Sequence, residues 1–558
     1  MGKTIEIYCK NLDRYMEIEG GDTLLNFYNN HKEIINTVPV CAQVNNKTEG
    51  LSFAVYNPKK VEFLDRYTPA GSRVYVRSLC MIMYKAVKNL YPGTRLKIEH
   101  SMSRGYFCML SQSDVRPTAE VIEYIKQEMR RIVDADIPFE RHEKLTRDVI
   151  EIFRKEGLDD KVNLLETSTD LYTVYYTLGE VADCYFGPLA PSTGMIDLFD
   201  LIPDHNGMIL LGCAKNGEPA AEKPIPQEKM FRAFTEHIAF NEIIGVDDVG
   251  SLNKAVQRGD TPMLINVAEA LHSKVFSRIA ADIAERHKQG GARIVLISGP
   301  SSSGKTTSTK RLAIQLMTHL IKPRMISLDD YFVDRVNTPR DESGDYDYES
   351  LYALDLDRFN QDLNALLAGE TVQLPTYNFE LGHREFHEEN RISLGANDVL
   401  LIEGIHGLNP ELTPHIPKEQ KYKVYISALT TLAIDDHNWI PTRDNRLLRR
   451  IIRDHKYRGT SAVETIARWQ SVAAGEEKWI FPYQENADAT FNSSLIFELG
   501  VMKEYAEPLL KNVPHDVPEY AEANRLYTFL NYFLPINESQ IPSTSLLREF
   551  LGGSSFKY

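Results

Sequence analysis

One short run of the chain, Gly299-Pro300-Ser301-Ser302-Ser303-Gly304-Lys305-Thr306, satisfies the pattern G-x-x-x-x-G-K-[ST]. The mostly apolar run Arg293 to Ser298 before it predicts a buried strand, and Thr307 to Leu320 after it has the apolar spacing of a helix. A loop in this context cradles nucleotide phosphates with backbone N–H groups at a helix N-terminus. The alternative is a Ser/Gly-rich loop that matches by chance, and the flanking strand and helix argue against it.

Each part of this loop has an expected role in holding a triphosphate. Lys305 reaches the β and γ oxygens, and the Thr306 hydroxyl binds Mg²⁺. The residues expected to contact the phosphates are Gly299, Ser301, Ser302, Ser303, Gly304, Lys305, Thr306 and Thr307.

Length and composition indicate a multidomain globular protein. At roughly 150 residues per domain, 558 residues predict three or four domains. The net charge of −15 argues against general nucleic-acid binding. No apolar run approaches the roughly 20 residues of a membrane helix, and the N-terminus lacks an apolar signal core, so we expect a cytoplasmic protein without membrane contact. The six cysteines show no C-x-x-C spacing, which favours reduced structural thiols.

Residues 1–62 form a predicted β-rich module. Strands are predicted over Thr4 to Cys9, Arg14 to Ile18, Val38 to Ala42 and Leu51 to Tyr56, with a short helix after Gly20-Gly21-Asp22-Thr23. The pattern resembles a TGS domain, the ubiquitin-like β-grasp module of threonyl-tRNA synthetases and some GTPases.

Residues 63–225 resemble the second, editing-type α+β domain of threonyl-tRNA synthetase. The resemblance rests on Ala86 to Gly93, Ile98-Glu99-His100, Gly105-Tyr106-Phe107 and Gly187 to Gly194, which follow in order. That family carries H-x-x-x-H and C-x-x-x-H metal pairs, but here the four positions are Arg77, Met81, Tyr185 and Leu189. None of these can replace an imidazole or thiolate ligand, so we expect no bound zinc. We interpret the region as a domain that has lost its catalytic activity and has a sensing or oligomerising role. Self-association into a homo-oligomer is therefore compatible with the sequence.

The rest of the chain divides into three parts, and the whole is predicted to be a multidomain α/β protein. Residues 226–290 predict a helical connector, and residues 511–558 a helical tail. Residues 291–510 alternate predicted strands and helices, which is typical of a parallel sheet with helices on both faces.

Two carboxylates follow predicted strands of this parallel sheet. Asp329, in Ser327-Leu328-Asp329-Asp330-Tyr331-Phe332, comes at the carboxyl end of a strand, where it can reach an acceptor hydroxyl and take its proton. An acidic helix cap or an indirect magnesium contact is the alternative role, and it suits Asp330 better. Glu403 ends the apolar run Val399 to Ile402, an arrangement that holds Mg²⁺ directly or through water opposite Thr306.

A run of arginines forms the fourth element of the predicted site. Its members are Arg443, Arg446, Arg449, Arg450, Arg453 and Arg458. On a helix, Arg446, Arg449, Arg450 and Arg453 are three or four residues apart and share one face. Charge runs are usually solvated faces. Beside a phosphate site this one favours a lid that closes on the triphosphate, comprising Arg446, Arg449, Arg450, Arg453 and Arg458.

From Arg293 to Leu510 these elements together resemble the uridine kinase and phosphoribulokinase family of P-loop kinases. The resemblance also includes Pro375-Thr376-Tyr377-Asn378-Phe379 and the lid pattern R-x-x-R-R-x-x-R-D from Arg446 to Asp454. It implies ATP and Mg²⁺ as cofactors and transfer of phosphate to the 5′-hydroxyl of a pyrimidine nucleoside. It also implies that Asp329 and Lys305 are the catalytic residues, with Asp329 as the base. The substrate-binding residues expected from it are Glu349, Tyr377, Phe379, His383 and Arg384, with Tyr377 packing on the nucleobase.

Departures from the family make the acceptor uncertain. Gly382 stands where the family's base-reading histidine is expected, and Tyr348-Glu349 replaces its ribose-gripping Phe-Asp. A non-nucleoside, sugar-type acceptor therefore stays open. His383 and His387 also match H-x-x-x-H, which on a helix could bind zinc, but a substrate-facing loop is favoured because no third ligand is evident.

The alternative from another class is a nucleotide-switch regulator associated with tRNA or the ribosome, as the front half suggests. A GTPase switch should carry an N-K-x-D guanine reader after the loop, and the sequence has none. The sequence therefore favours a small-molecule kinase whose front half is regulatory.

Overall fold

A computed structural model describes residues 4–341 and 344–557, so residues 1–3 and 558 at the outer limits of the first and last predicted domains lie outside it. The chain begins with a mixed five-stranded sheet in the order β2-β1-β5-β3-β4, on which one helix packs. Its elements are β1 (Thr4–Cys9), β2 (Arg14–Glu19), α1 (Leu24–His31), β3 (Cys41–Val44), β4 (Lys47–Glu49) and β5 (Lys60–Leu64). The Thr23 side chain caps α1, as the sequence predicts.

The predicted strand Leu51 to Tyr56 is wrong. Its backbone pairs with the approach to α1, where the Leu24 N–H donates to the Phe53 carbonyl and the Leu25 N–H to the Leu51 carbonyl. Leu51 and Val55 are buried in the core of the module by this irregular segment. The spacing of the apolar residues correctly predicts which of them are buried. The backbone of this segment cannot join the sheet, however, because it is already hydrogen-bonded to the start of α1 and to the residues before it.

The second region surrounds one long, mostly buried helix, α2 (Pro69–Leu90). A three-stranded sheet (β10-β9-β8) and a four-stranded sheet (β11-β12-β7-β6) complete it. Its further elements are β6 (Arg95–Met102), β7 (Gly105–Ser111), α3 (Ala119–Asp134), β8 (Glu140–Leu145), α4 (Thr146–Glu156), α5 (Asp159–Glu166), β9 (Tyr172–Leu178), β10 (Val181–Asp183), β11 (Asp200–Asp204) and β12 (Gly207–Leu211).

Three helices come next: α6 (Glu228–Ile244), α7 (Val249–Arg258) and α8 (Thr261–Lys288). The helical prediction for this segment is confirmed. The second half of α8 lies on the parallel sheet of the C-terminal half, because Phe276 and Ile283 share one buried cluster with Val295.

The phosphate-loop motif belongs to a five-stranded parallel sheet in the order β14-β17-β13-β18-β21. The elements of this part are β13 (Ile294–Ser298), α9 (Lys305–Thr318), β14 (Lys322–Ser327), α10 (Leu356–Leu367), β15 (Val372–Asn378), β16 (His383–Ile392), β17 (Asp398–Glu403), β18 (Lys421–Ser427), β19 (Ala433–Asp435), β20 (Asn438–Trp439), α11 (Thr442–Arg458), α12 (Ala462–Trp479), β21 (Ala489–Asn492), α13 (Glu498–Lys511), α14 (Tyr520–Leu530) and α15 (Arg548–Leu551).

Helices cover both faces of this sheet, as predicted. In β13, Val295 and Ile297 pack toward α8 and α9, whereas Ile294 and Leu296 pack toward α10. A strand buried on both faces has to be apolar throughout, which explains the continuous run in the sequence. Because parallel strands end at the same edge, the carboxyl ends of β13, β14 and β17 bring the three predicted chemical elements together.

The front half and the parallel-sheet half meet through buried charges. The hairpin β19–β20 reaches into the second region, where the Lys161 ammonium lies 2.9 Å from Asp183 and 2.8 Å from Asp435. His437 bonds to the other Asp183 oxygen at 2.8 Å. Burial alone would lower the pKa of Lys161, but the two carboxylates outweigh it and raise that pKa.

In the described residues, no helix is long and apolar enough to span a membrane. All six cysteines are unpaired, in agreement with the prediction of reduced thiols.

Candidate active site

The phosphate loop between β13 and α9 requires small residues at specific points. A Cβ on Gly299 would lie 2.0 Å from the Ile426 carbonyl oxygen, so only glycine fits there. Gly304 has a φ of 83° and caps α9, and Ser302 has a φ of 58°. This left-handed backbone turns the loop around the N-terminus of α9, as a phosphate cradle requires.

Lys305 and Thr306 open α9 beside Glu403 at the end of β17. The Lys305 ammonium donates to the Pro300 carbonyl at 3.1 Å. The Thr306 hydroxyl donates to Glu403 Oε1 at 3.1 Å, which brings together the two side chains predicted to hold Mg²⁺. Burial raises the pKa of Glu403 to about 7, and the charge of Lys305 opposes that shift.

Asp329 lies in a short 3₁₀ turn, Leu328–Tyr331, directly after β14. Its carboxylate is open to solvent within the cleft, and the Ser327 hydroxyl accepts a hydrogen bond from its N–H. The surrounding protein walls raise its pKa, and Lys305 opposes the shift. The lysine and the carboxylate are therefore neighbours in one cleft.

Asp330 faces away from this position. Its carboxylate accepts the Tyr377 N–H at 3.2 Å, and burial raises its pKa to about 6. Behind it lies a separate cavity of about 220 Å³, which Ser327 and Thr376 also line. Asp330 thus ties the turn that carries Asp329 to strand β15.

Two arginines of the predicted lid are buried structural groups, which corrects the prediction of one free cationic face. Arg446 makes a bidentate ion pair with Glu476 on α12, with one N–O distance of 2.7 Å, and also donates to the Ser301 carbonyl at 3.0 Å. Arg449 pairs with Glu498 at 2.5 Å. Both side chains are almost fully buried, because this face of α11 packs under the phosphate loop instead of covering it.

The remaining lid arginines lie nearer the open cleft. Arg450 donates to the Ser301 hydroxyl at 2.8 Å, and Arg453 pairs with Asp454 at 2.9 Å. Arg458 pairs with the same Asp454 at 3.4 Å. The positive charges of Arg453 and Arg458 act on the Asp329 carboxylate and favour its ionised form.

The predicted substrate residues Tyr377 and Phe379 belong to an aromatic cluster with Phe332. The Tyr377 ring lies 5.6 Å from Phe332 and 5.0 Å from Phe379, centroid to centroid. Among the described residues the buried Tyr377 hydroxyl has no hydrogen-bond partner, whereas Phe379 is largely exposed. Burial, together with the nearby Glu476, raises the pKa of Glu349 to about 7. The Glu349 Oε2 atom likewise has no hydrogen-bond partner within residues 4–341 and 344–557.

Gly382 leaves no space for a larger side chain. Its φ is 76°, and a Cβ there would lie 2.9 Å from Arg335. The Arg335 N–H donates to the Gly382 carbonyl at 2.8 Å. Arg335 thus covers the position where the resemblance expects a base-reading histidine.

His383, Arg384 and His387 all lie on strand β16, not on a helix. Four residues along a strand span about 13 Å, so the two histidines do not form the helical metal pair considered from the sequence. Arg384 forms an ion pair with Asp355 at 2.8 Å.

The four positions that the resemblance aligns with metal ligands lie where α2 meets the segment 185–189. Arg77 donates from Nε and Nη2 to the Pro188 carbonyl, at 3.2 and 3.0 Å. Met81, Tyr185 and Leu189 are buried. Burial lowers the pKa of Arg77 to about 10.

Sequence reasoning missed three carboxylates that touch the phosphate loop or the lid helix. Glu476 accepts the Ser301 N–H at 3.1 Å, Glu498 holds Arg449, and Glu549 accepts from Thr307. Each is an acidic residue within a helix, with no motif around it. The sequence carried no signal for them.

Comparisons with known proteins agree with the two resemblances. Residues 294–495 match the model of the Phosphoribulokinase / Uridine kinase family. A uridine kinase of Staphylococcus aureus is 29% identical over 196 residues, which are 35% of this chain and 84% of that protein. The predicted P-loop kinase fold with a parallel sheet is confirmed for this domain.

The front half is similar to threonine–tRNA ligases. That of Desulforamulus reducens is 27% identical over 220 residues, which are 38% of this chain. The chain matches only 34% of that ligase's length and 26% of the ligase of Carboxydothermus hydrogenoformans. Among solved structures, the D-glycerate 3-kinase of Cryptococcus neoformans aligns with a TM-score of 0.23 at 14% identity, covering 46% of this chain and 87% of that one.

Proposed function

We propose that the chain transfers the γ-phosphoryl group of ATP to a hydroxyl of a small molecule. The observation that carries the proposal is the convergence of Lys305, the Thr306–Glu403 pair and Asp329 at one edge of the parallel sheet. Phosphoryl transfer requires positioning and charge stabilisation, and this edge supplies both.

Asp329 acts as the base in this proposal. As the acceptor hydroxyl attacks the γ-phosphorus, its proton passes to the Asp329 carboxylate and the bond to the β-phosphate oxygen breaks. A raised pKa makes this carboxylate a stronger base than an ordinary aspartate. Lys305 and the arginines near the cleft stabilise the charge that spreads over the transferred group.

Thr306 and Glu403 fit a magnesium ion. Both supply hard oxygen donors, and the 3.1 Å between their oxygens shows that they point at one place. Mg²⁺ bound there would neutralise charge on the β- and γ-phosphates.

The acceptor we favour is the 5′-hydroxyl of uridine or cytidine. The uridine kinase similarity and the aromatic cluster of Phe332, Tyr377 and Phe379 support it, because flat bases stack on such rings. Glu349 is the candidate for holding sugar hydroxyls.

A sugar-type acceptor is the second candidate, and a specific observation favours it. Arg335 lies over Gly382, which has no side chain to read a base edge, and the Arg335 guanidinium already donates to the Phe379 and Glu380 carbonyls. A site without a base reader is compatible with a smaller acceptor.

We further infer that residues 4–64 form a TGS-like β-grasp module and that the second region is an editing-like domain with a regulatory or oligomerising role. The strand order β2-β1-β5-β3-β4 supports the first inference. The Arg77–Pro188 contact supports the second, because it brings the two aligned ligand segments together.

The test is an ADP-release assay across uridine, cytidine, other nucleosides and sugar phosphates. We expect turnover with uridine or cytidine that Lys305→Ala abolishes, while Lys274→Ala, an exposed lysine on α8, leaves it unchanged. Activity of Lys305→Ala within about tenfold of wild type, about 1.4 kcal/mol in barrier, would reject the phosphate-loop role. Turnover with sugar acceptors alone would select the second candidate, and ATP binding without any acceptor turnover would favour a nucleotide switch.

A further inference from the structure

An acidic side chain from the C-terminal segment occupies donors at the N-terminus of α9. The Thr307 N–H donates to Glu549 Oε2 at 3.2 Å, and the Thr307 hydroxyl donates to the same oxygen at 2.6 Å. Glu549 lies on α15, 242 residues further along the chain. The contact therefore joins the end of the chain to the phosphate loop.

These donors are the ones that a nucleotide needs. In a loop of this pattern, the backbone N–H groups that open the helix cradle the α- and β-phosphates. A carboxylate there places a negative charge where a phosphate has to lie. Both anions cannot share the same donors, so nucleotide binding requires Glu549 to leave.

The carboxylate is carried by a firmly packed segment. Leu546, Leu547, Phe550 and Leu551 are all buried, and a Cβ on Gly304 would lie 3.5 Å from the Leu546 side chain. Glu549 is therefore held against the loop by the packing of its neighbours.

The same segment also contacts α11, the helix that carries the predicted lid arginines. The Lys456 ammonium donates to the Leu551 carbonyl, and the Arg449 guanidinium lies 5.1 Å from the centre of the Phe550 ring. The segment thus bridges α9 and α11, the two helices that a bound triphosphate would contact. Displacing Glu549 from α9 would loosen one side of this bridge.

We propose that residues 545–557 form an inhibitory latch, in which Glu549 competes with the nucleotide phosphates for Thr307. The latch rests on the proposed nucleotide site. It goes beyond that site because the latch makes the full chain bind ATP more weakly than the same site would without Glu549 at Thr307. It opens when nucleotide displaces Glu549.

The test is the affinity of the full-length protein for ATP and ADP with Mg²⁺, measured by isothermal titration calorimetry. For Glu549→Gln and Glu549→Ala we expect binding about tenfold tighter, the order of effect of removing a competing hydrogen bond to a charged group. The matched control is Glu538→Gln, which removes another carboxylate of the tail that pairs with Arg548. That control should bind like wild type.

Several results would overturn the latch. Unchanged affinity in both Glu549 variants would mean that the contact has no effect on nucleotide binding. Weaker affinity would mean that Glu549 is part of the nucleotide or metal site. A lack of nucleotide binding in every variant would mean that the proposed nucleotide site does not exist. Circular dichroism separates these results from misfolding in Glu549→Ala, and Glu549→Gln keeps the side-chain shape. Tighter binding without phosphorylation of any acceptor would support the latch while the kinase proposal fails.

Discussion

The phosphate loop and the contact between Arg77 and Pro188 both lie where a helix meets a loop, but they use their polar groups differently. At the phosphate loop, Glu403 and Asp329 have raised pKa values and stand beside Lys305. At the second contact, Arg77 donates to the Pro188 carbonyl, and Met81, one turn further along α2, is apolar and buried. Charged groups suited to chemistry are therefore kept in the first region, where Glu549 occupies the Thr307 donors, and are consumed by internal contacts in the second.

The comparison is tested most severely by removing the proposed base. Asp329→Asn keeps the shape but cannot accept the acceptor's proton, so kcat should fall by roughly 10² to 10⁴ with little change in ATP affinity. Steady-state kinetics with the best acceptor, together with nucleotide titration, measures both quantities.

The matched control is the adjacent carboxylate. Asp330→Asn can still accept the Tyr377 N–H, so its kcat should stay within about tenfold of wild type. Equal losses in the two variants would mean that Asp329 is not the base. A loss confined to ATP affinity in Asp329→Asn would identify a magnesium ligand instead.

A second test separates structural arginines from those of the open cleft. Arg446→Met leaves the buried Glu476 without its partner and should lower the free energy of unfolding by about 3–5 kcal/mol. Arg443→Met breaks the exposed pair with Glu477, which joins the same two helices, and should cost less than about 1 kcal/mol.

Urea unfolding followed by tryptophan fluorescence measures this difference in free energy of unfolding. Two of the three tryptophans, Trp469 and Trp479, lie in the parallel-sheet half, whereas Trp439 packs against the second region. Trp469 is 5.3 Å from the Arg446 guanidinium, centroid to carbon. Similar unfolding midpoints for the two variants would show that Arg446 is free to act as a lid residue.

The parallel sheet could be predicted because its local signals agree with its tertiary contacts. The apolar run Ile294 to Ile297 is buried on both faces, and the loop motif directly after it requires a tight turn and then a helix. The buried side of α11 could not be predicted, since helical spacing groups arginines on a face without telling whether that face meets solvent or Glu476. The C-terminal contact of Glu549 could not be predicted either, because it joins residues 242 positions apart without a shared motif.

The smallest expected effect is in the second region, where the prediction is that no zinc binds and no hydrolysis occurs. A guanidinium at one former ligand position repels a cation, and Met81 and Leu189 offer no hard or borderline donor. The purified full chain should contain far less than one zinc per molecule by elemental analysis and should not deacylate mischarged tRNA. Reloading with zinc before dialysis against a weak chelator is the control for loss during purification. About one zinc per chain retained through that dialysis would contradict the assignment of these four positions, and with it the contrast between an open site and a closed one.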